Sequence, residues 1–160
     1  MVRSSALRSL PLWLAAAWAM SLSTLGFFVV PMLFANLPSP AMAGGMAAKL
    51  FAVQTGVSVV CALVLLMTLR SEKLAPVATV IPSCTMLALA GALLALLAEF
   101  GVSPHIVARD NLALWHGLGT AMYVVQWICA LLVFGKLANA GHTPLTGSAV
   151  QDSRARETLR

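Results

Sequence analysis

The sequence predicts an all-α integral membrane protein, a four-helix transmembrane bundle with both termini in the cytoplasm. Four stretches of at least 20 residues contain no Asp, Glu, Lys or Arg: residues 9–48, 50–69, 74–98 and 111–135. About 20 apolar residues of helix cross a hydrocarbon core about 30 Å thick, so each stretch can span once. The composition agrees, because 60% of the residues are apolar and 9% are charged, against roughly 25% charged in soluble domains.

The predicted helices cover residues 12–34, 46–69, 76–98 and 112–135, within one transmembrane domain over residues 1–138. The long first stretch is divided by Leu37-Pro38-Ser39-Pro40, which is a turn signal. This division leaves one spanning helix on each side of the turn.

The N-terminal segment also has features of a cleaved signal peptide. Arg3 and Arg8 precede an apolar core, and Ala17-Trp18-Ala19 resembles a small-residue cleavage site. The apolar run nevertheless continues to Phe34, which is long enough to span the membrane. We therefore expect a retained first helix.

The distribution of basic residues predicts which side of the membrane the termini face. Eight Lys and Arg residues flank one side of the predicted bundle and two flank the other: Arg3, Arg8, Arg70, Lys73, Lys136, Arg154, Arg156 and Arg160 against Lys49 and Arg109. Positively charged flanks stay on the cytoplasmic side. We expect a multi-pass protein of the inner (plasma) membrane, with residues 139–160 as a disordered basic cytoplasmic tail.

Under this topology, the few polar residues of the spans gather near the outer boundary of the membrane. A period of 3.6 residues places several of them on one face of the last helix, and Gln54 of the second helix is expected to meet that face. Trp127 is an alternative to Gln126 on this face. The predicted polar cluster consists of His116, Lys49, Glu99, Gln54, Asn36, Thr120, Tyr123 and Gln126.

Three interpretations of this cluster remain open. It can be a buried hydrogen-bond network that fixes helix register, a small polar cavity open to the outside, or a metal or proton site centred on His116. Lys49 and Glu99 can form an ion pair, or each can extend separately to the lipid headgroups.

The sequence contains no complete motif for catalysis or cofactor binding. Cys61, Cys84 and Cys129 lie in separate predicted helices without a CxxC spacing, so we expect small buried hydrophobic side chains there. His116 is a weak candidate for a metal ligand. It is the only His within a predicted span, so a haem would need His105 or a Met as its second ligand, and nothing in the sequence requires such a pair. The three Cys and eight Met residues are ligands that copper(I) prefers, but their spacing is not diagnostic of a copper(I) site. We expect no cofactor, no enzymatic activity and, because the basic residues are scattered, no nucleic-acid binding.

Small residues and proline predict local helix geometry. Small side chains let membrane helices approach closely, and Pro31 is expected to kink the first helix near its outer end. The expected contact faces are the pairs Ala43/Ala47 and Gly44/Ala48 in the second helix, Ala88, Gly91, Ala92 and Ala95 in the third, and Gly117 and Ala121 in the fourth.

Short motifs in the first hairpin and the last helix resemble those of one known family. The first set is Leu33-Phe34-Ala35-Asn36-Leu37-Pro38, Ala43-Gly44 and Lys49-Leu50-Phe51, and the second is Trp115-His116-Gly117-Leu118-Gly119-Thr120. They resemble the transmembrane-protein-205-like family, also catalogued as domain of unknown function 4149, over about residues 12–138. The family-motif positions are Leu37, Pro38, Lys49, Leu50, Phe51, His116 and Gly117.

The resemblance implies a four-helix membrane protein whose bacterial members have no established activity. We expect a non-enzymatic protein with an accessory or lateral-interaction role. Its partners would be the lipid bilayer and either a second copy or another membrane protein. The alternative is a small transporter, or a metal-handling or resistance protein, that uses an outer polar cavity around His116.

Overall fold

The computed structural model describes the backbone of residues 2–70 and 80–140 and the side chains of residues 9–70 and 80–140. Regular structure in these ranges is helical throughout, which confirms the predicted all-α class. Four helices are long and apolar enough to cross a membrane: helix 1, Ser9–Asn36; helix 2, Pro40–Leu69; helix 3, Ile81–Val107; and helix 4, Leu112–Ala140. The helical backbone of helix 1 begins at Val2.

Helix 2 begins at Pro40, ahead of the predicted start at residue 46. The hydroxyl of Ser39 accepts a hydrogen bond from the backbone N–H of Met42 at 3.3 Å, and proline occupies the first helical position, where no N–H is needed. The Ser-Pro pair that predicted a turn is therefore also the start of the helix.

Helix 3 continues beyond residue 98, its predicted end, to Val107. Its predicted start at residue 76 lies outside the described residues. The same holds for residues 141–160 of the predicted tail, whereas residues 139 and 140 belong to helix 4.

The four helices form a closed antiparallel ring. Consecutive helices pack against each other, and helix 4 also packs against helix 1, which closes the ring. Residues 37–39 connect helices 1 and 2. Between helices 3 and 4, Arg109 and Asn111 adopt positive φ angles of 61° and 35°, which produce a sharp reversal.

In the interior of the bundle, the indole ring of Trp18 packs against a face of small residues on helix 3. Trp18 is fully buried and packs on Gly91. The buried face of helix 3 consists of Cys84, Ala88, Gly91 and Ala95, which confirms most of the contact face predicted there. Of the two pairs predicted in helix 2, Ala43 and Ala47 are buried, whereas Gly44 and Ala48 are only partly buried.

The predicted contact face on helix 4 is wrong. Gly117 and Ala121 are exposed, because the interior face of this helix runs through Gln126, Ala130 and Val133 instead. Gly117 and Ala121 are rotated away from that line, so their small side chains do not contact another helix.

Pro31 and Pro104 each follow a π-helical turn, Leu25–Val29 in helix 1 and Ala98–Val102 in helix 3. Proline lacks an N–H, and its ring collides with the carbonyl four residues earlier in a regular helix. In a π turn, each backbone hydrogen bond joins residues five apart instead of four, so the turn contains one extra residue. Both helices consequently continue past their proline, and the distortion predicted at Pro31 takes this form.

Candidate functional site

Four polar side chains meet in the interior of the bundle and form what we call the polar layer: Ser21, Gln54, Ser58 and Gln126. Gln126 Nε2 donates to Ser58 Oγ at 2.8 Å, and Gln54 Nε2 donates to Ser21 Oγ at 3.0 Å and, more weakly, to Ser58 Oγ at 3.5 Å. The two Gln residues and Ser58 are buried. The polar layer therefore links helices 1, 2 and 4.

A second group of hydrogen bonds joins helix 1 to helix 4. The Tyr123 hydroxyl donates to the Leu22 carbonyl at 2.7 Å, and Trp127 Nε1 donates to Ser23 Oγ at 2.9 Å. Ser23 in turn donates to the Ala19 carbonyl. The polar atoms of Tyr123, Trp127 and Ser23 are therefore already used in hydrogen bonds within the bundle.

The polar layer lies near the middle of helices 2 and 4 and not at an end of the bundle. Gln54 is halfway along Pro40–Leu69, and Gln126 is halfway along Leu112–Ala140. The predicted start of helix 2 at residue 46 puts Gln54 one to two turns inside the outer end of that helix, whereas the observed start at Pro40 puts Gln54 at the middle. Polar groups at the centre of a membrane bundle are satisfied by one another, since hydrocarbon offers them no partner.

His116 and Thr120 do not join the polar layer. Both are exposed on the outside of helix 4, and the Thr120 hydroxyl donates to the His116 carbonyl of its own helix. The expected polar face is therefore divided, with Tyr123, Gln126 and Trp127 in contact with other helices. The side of helix 4 that faces the interior at Gln126 continues through residues 122 and 119 toward the start of the helix. His116 is not on this side.

Asn36, Lys49 and Glu99 also remain apart from the polar layer. Asn36 is exposed, and its side-chain amide donates to the Met32 carbonyl of the same helix. Lys49 is exposed and Glu99 is partly exposed. In the part of the chain whose side chains are described, neither charge has an ion-pair or hydrogen-bond partner.

A cluster that sequence reasoning missed lies between helices 3 and 4. The imidazole of His105 stacks on the Trp115 indole, with ring centroids 4.0 Å apart, and His105 Nδ1 lies 3.5 Å from Asp110 Oδ2. The backbone N–H of Asp110 donates to the His105 carbonyl. The sequence predicts His105 and Asp110 together in a loop after helix 3, but not their contacts. The continuation of helix 3 past Pro104 creates these contacts.

An open groove of ≈ 170 Å³ lies on the outside of helices 1 and 4. Its lining is largely apolar: Gly26, Phe27, Thr120, Tyr123, Val124 and Trp127. The hydroxyls of Thr120 and Tyr123 donate to backbone carbonyls. The groove is therefore a mainly apolar surface whose two hydroxyl groups already donate hydrogen bonds to the backbone.

Metal-ligand types are dispersed over the described part of the chain. Within residues 2–70 and 80–140, no three His, Cys, Asp or Glu side chains come close enough together to hold a metal ion. Cys61, Cys84 and Cys129 are free and buried. They pack with the apolar core, as their positions in separate helices predicted.

The sequence of the chain is similar to one known protein family. A family model described as Domain of unknown function (DUF4149) matches residues 13–113. The chain belongs to this family. The match includes the motif positions Leu37, Pro38 and Lys49-Leu50-Phe51, whereas His116 and Gly117 lie beyond its end. The family description states no activity, and the transmembrane-protein-205-like designation rests on the motif resemblance alone.

No curated protein and no solved structure matches the chain. The membrane-spanning character of this family member therefore follows from its own four apolar helices.

We expect a measurable coupling between Gln126 and Ser58 in the polar layer. A double-mutant cycle of Gln126→Met and Ser58→Ala should give a coupling of about 0.6 kcal/mol, and at most about 1.7 kcal/mol, which is the range for hydrogen bonds between membrane helices. The free energy of unfolding in mixed micelles is the measurement. A cycle of Gln126→Met with Thr120→Val is the control and should show no coupling, because Thr120 bonds within its own helix. Equal coupling in both cycles would contradict the assignment.

Proposed function

We propose that this chain is a non-enzymatic protein of the inner membrane that acts through lateral contacts, as an accessory subunit of a membrane assembly. The observation that carries the proposal is an exposed face of small residues on helix 2. This helix 2 face consists of four small residues and one Lys at helical spacing, all of them exposed: Ala41, Gly45, Lys49, Ala52 and Gly56. Small residues are what membrane helices use for close packing with other helices.

The helix 2 face differs from the outward faces of helices 1 and 3. Helices 1 and 3 present large side chains such as Trp13, Phe28, Met86 and Phe100. By contrast, nothing lies within 4 Å of the Cβ positions of Gly45 and Gly56. A neighbouring helix could therefore approach the backbone of helix 2 closely.

The interior supports a structural role for the bundle. Gln54, Ser58 and Gln126 bind one another, and the hydroxyl of Tyr123 binds a backbone carbonyl. These are the polar groups that an internal site would need. Their mutual hydrogen bonds instead hold the helices in register.

The topology that we propose has both termini in the cytoplasm. Arg70 and Lys136 lie near one end of the bundle, whereas Lys49 and Arg109 lie toward the other. Together with the basic residues before and after the bundle, this bias favours the end with Arg70 as the cytoplasmic one. Residues 41–52 of the helix 2 face then lie in the outer half of the membrane, and Gly56 lies near the middle.

The alternative, a transporter or metal-handling protein around His116, needs a cavity that joins His116 to Gln54. His116 is exposed on the outside of helix 4, and Gln54 is bonded inside the bundle. The helix 2 face is therefore the better basis for a function.

Extraction of the protein from its native membrane into polymer-bounded lipid discs, followed by native mass spectrometry, tests the proposal. We expect the chain in a complex larger than a monomer, and we expect Gly56→Leu to reduce that complex. Gly117→Leu is the matched control, since Gly117 is also exposed with nothing within 4 Å. A monomeric wild type, or equal loss in both variants, would contradict a lateral role for helix 2.

A further inference from the structure

The position of Glu99 along the bundle follows from the packing of helices 3 and 4. A Cβ on Gly119 would lie 3.4 Å from a methyl carbon of Val102, so these two residues are at the same level. Glu99 precedes Val102 by three residues, and Tyr123 follows Gly119 by four. Because the two helices are antiparallel, Glu99 lies close to the level of Tyr123.

The same level extends to helix 2. Tyr123 contacts Phe51 edge to face, with ring centroids 5.2 Å apart. Lys49 is two residues from Phe51, which corresponds to about 3 Å along the helix. Lys49 and Glu99 are therefore at nearly the same depth, on neighbouring helices.

This depth is inside the span. Lys49 lies five residues from Gln54, which is at the middle of helix 2. At 1.5 Å per residue the separation is about 7.5 Å, about half the distance from the centre to the edge of the hydrocarbon core. Ionisable groups at such a depth face protein or water and pair with one another. Lys49 and Glu99 are each without a partner in the described part of the chain.

We propose that a second copy of this chain packs against helices 2 and 3, so that Lys49 of each copy pairs with Glu99 of the partner subunit. This inference rests on the lateral role proposed above and names the partner. Gly45 and Gly56 on helix 2 have nothing within 4 Å of their Cβ positions and lie on the same helix face as Lys49. They permit close approach of the partner's helix on both sides of Lys49.

Symmetry and charge select this arrangement. A two-fold axis along the membrane normal relates the copies without changing depth, so residues at one level meet residues at the same level. Contact of helix 2 with helix 2 alone would place Lys49 against Lys49, which is repulsive. Contact of helix 2 with helix 3 of the partner subunit creates two attractive pairs.

Mixing of oppositely charged variants tests the pairing. Lys49→Glu and Glu99→Lys are each expected to reduce self-association in lipid vesicles by about tenfold or more, because each variant faces like charges across the interface. When the two variants are combined, one copy carries only acidic groups and the other only basic groups at this level. We expect the mixture to associate as well as the wild type, measured by energy transfer between labelled copies.

The controls separate this inference from its alternatives. Arg109→Glu changes an exposed charge in the turn after helix 3 and should leave association unchanged. Recovery upon mixing shows that both variants are folded, and a pair within one chain could not produce it. Failure to recover, or a wild type that is monomeric in vesicles, overturns the inference. A native complex that contains a different protein at the helix 2 face overturns the second copy as partner but leaves the lateral role intact.

Discussion

Gly91→Ala is expected to lower the free energy of unfolding by about 1–3 kcal/mol, and Gly91→Leu to prevent the bundle from closing. A Cβ at this position would lie 2.6 Å from Cη2 and 2.8 Å from Cζ2 of Trp18, closer than real contacts allow. Trp18 is fully buried, so a shift of its rigid ring has to displace neighbouring core side chains. Unfolding in mixed micelles, followed by circular dichroism, measures the effect.

Two further variants isolate the collision at Gly91. Gly117→Ala gains the same intrinsic helix propensity, up to about 1 kcal/mol, at a site with no neighbour within 4 Å. The difference between Gly91→Ala and Gly117→Ala therefore measures the contact with Trp18. Trp18→Leu should partly restore the stability of Gly91→Ala, because the smaller side chain vacates that contact. Equal stability of the two alanine variants would show that Trp18 can move at little cost.

The spanning helices could be predicted because the membrane imposes a simple requirement. Each span needs about 20 apolar residues without charge, and four such runs are visible in the sequence. The small face of helix 3 around Gly91 could be predicted for a similar reason, because close packing in lipid requires small side chains.

Helix rotation could not be predicted in the same way. The sequence is apolar on all sides of each helix, so periodicity does not distinguish the interior from the lipid-facing surface. A period of 3.6 residues therefore predicts His116 on the same face as Gln126, although in the structure the two point in different directions around helix 4. The π turns before Pro31 and Pro104 add to the difficulty, because each changes the rotation of the residues that follow.

The same limit explains why the candidate polar cluster divides into two parts. Gln54 and Gln126 find partners in the interior, whereas Lys49 and Glu99 find none in the described part of the chain. Polar residues in the membrane helices of this protein therefore fall into two groups, those bonded inside the bundle and those without a partner in it. The polar layer holds the bundle together, and we propose that the charged pair at Lys49 and Glu99 holds two bundles together.

Tyr123→Phe is expected to lower the free energy of unfolding by about 1–2 kcal/mol, because it leaves the Leu22 carbonyl without its side-chain donor. The Tyr123 hydroxyl reaches helix 1 directly before its π turn at Leu25–Val29, where the backbone hydrogen-bond pattern changes by one residue. In hydrocarbon, no water can replace the lost donor. The measurement is again unfolding in mixed micelles.

The loss should come from the hydroxyl and not from the ring. Phe at position 123 keeps the edge contact with Phe51 and the packing on Gly26, where a Cβ would lie 2.9 Å from the Tyr123 ring. Tyr123→Leu removes these contacts as well and should be less stable than Tyr123→Phe. Thr120→Val removes a hydroxyl of the same helix that bonds only within that helix, and it should change stability by less than about 0.5 kcal/mol. If Tyr123→Phe matched Thr120→Val, the bond to Leu22 would not be what joins helix 4 to the π turn of helix 1.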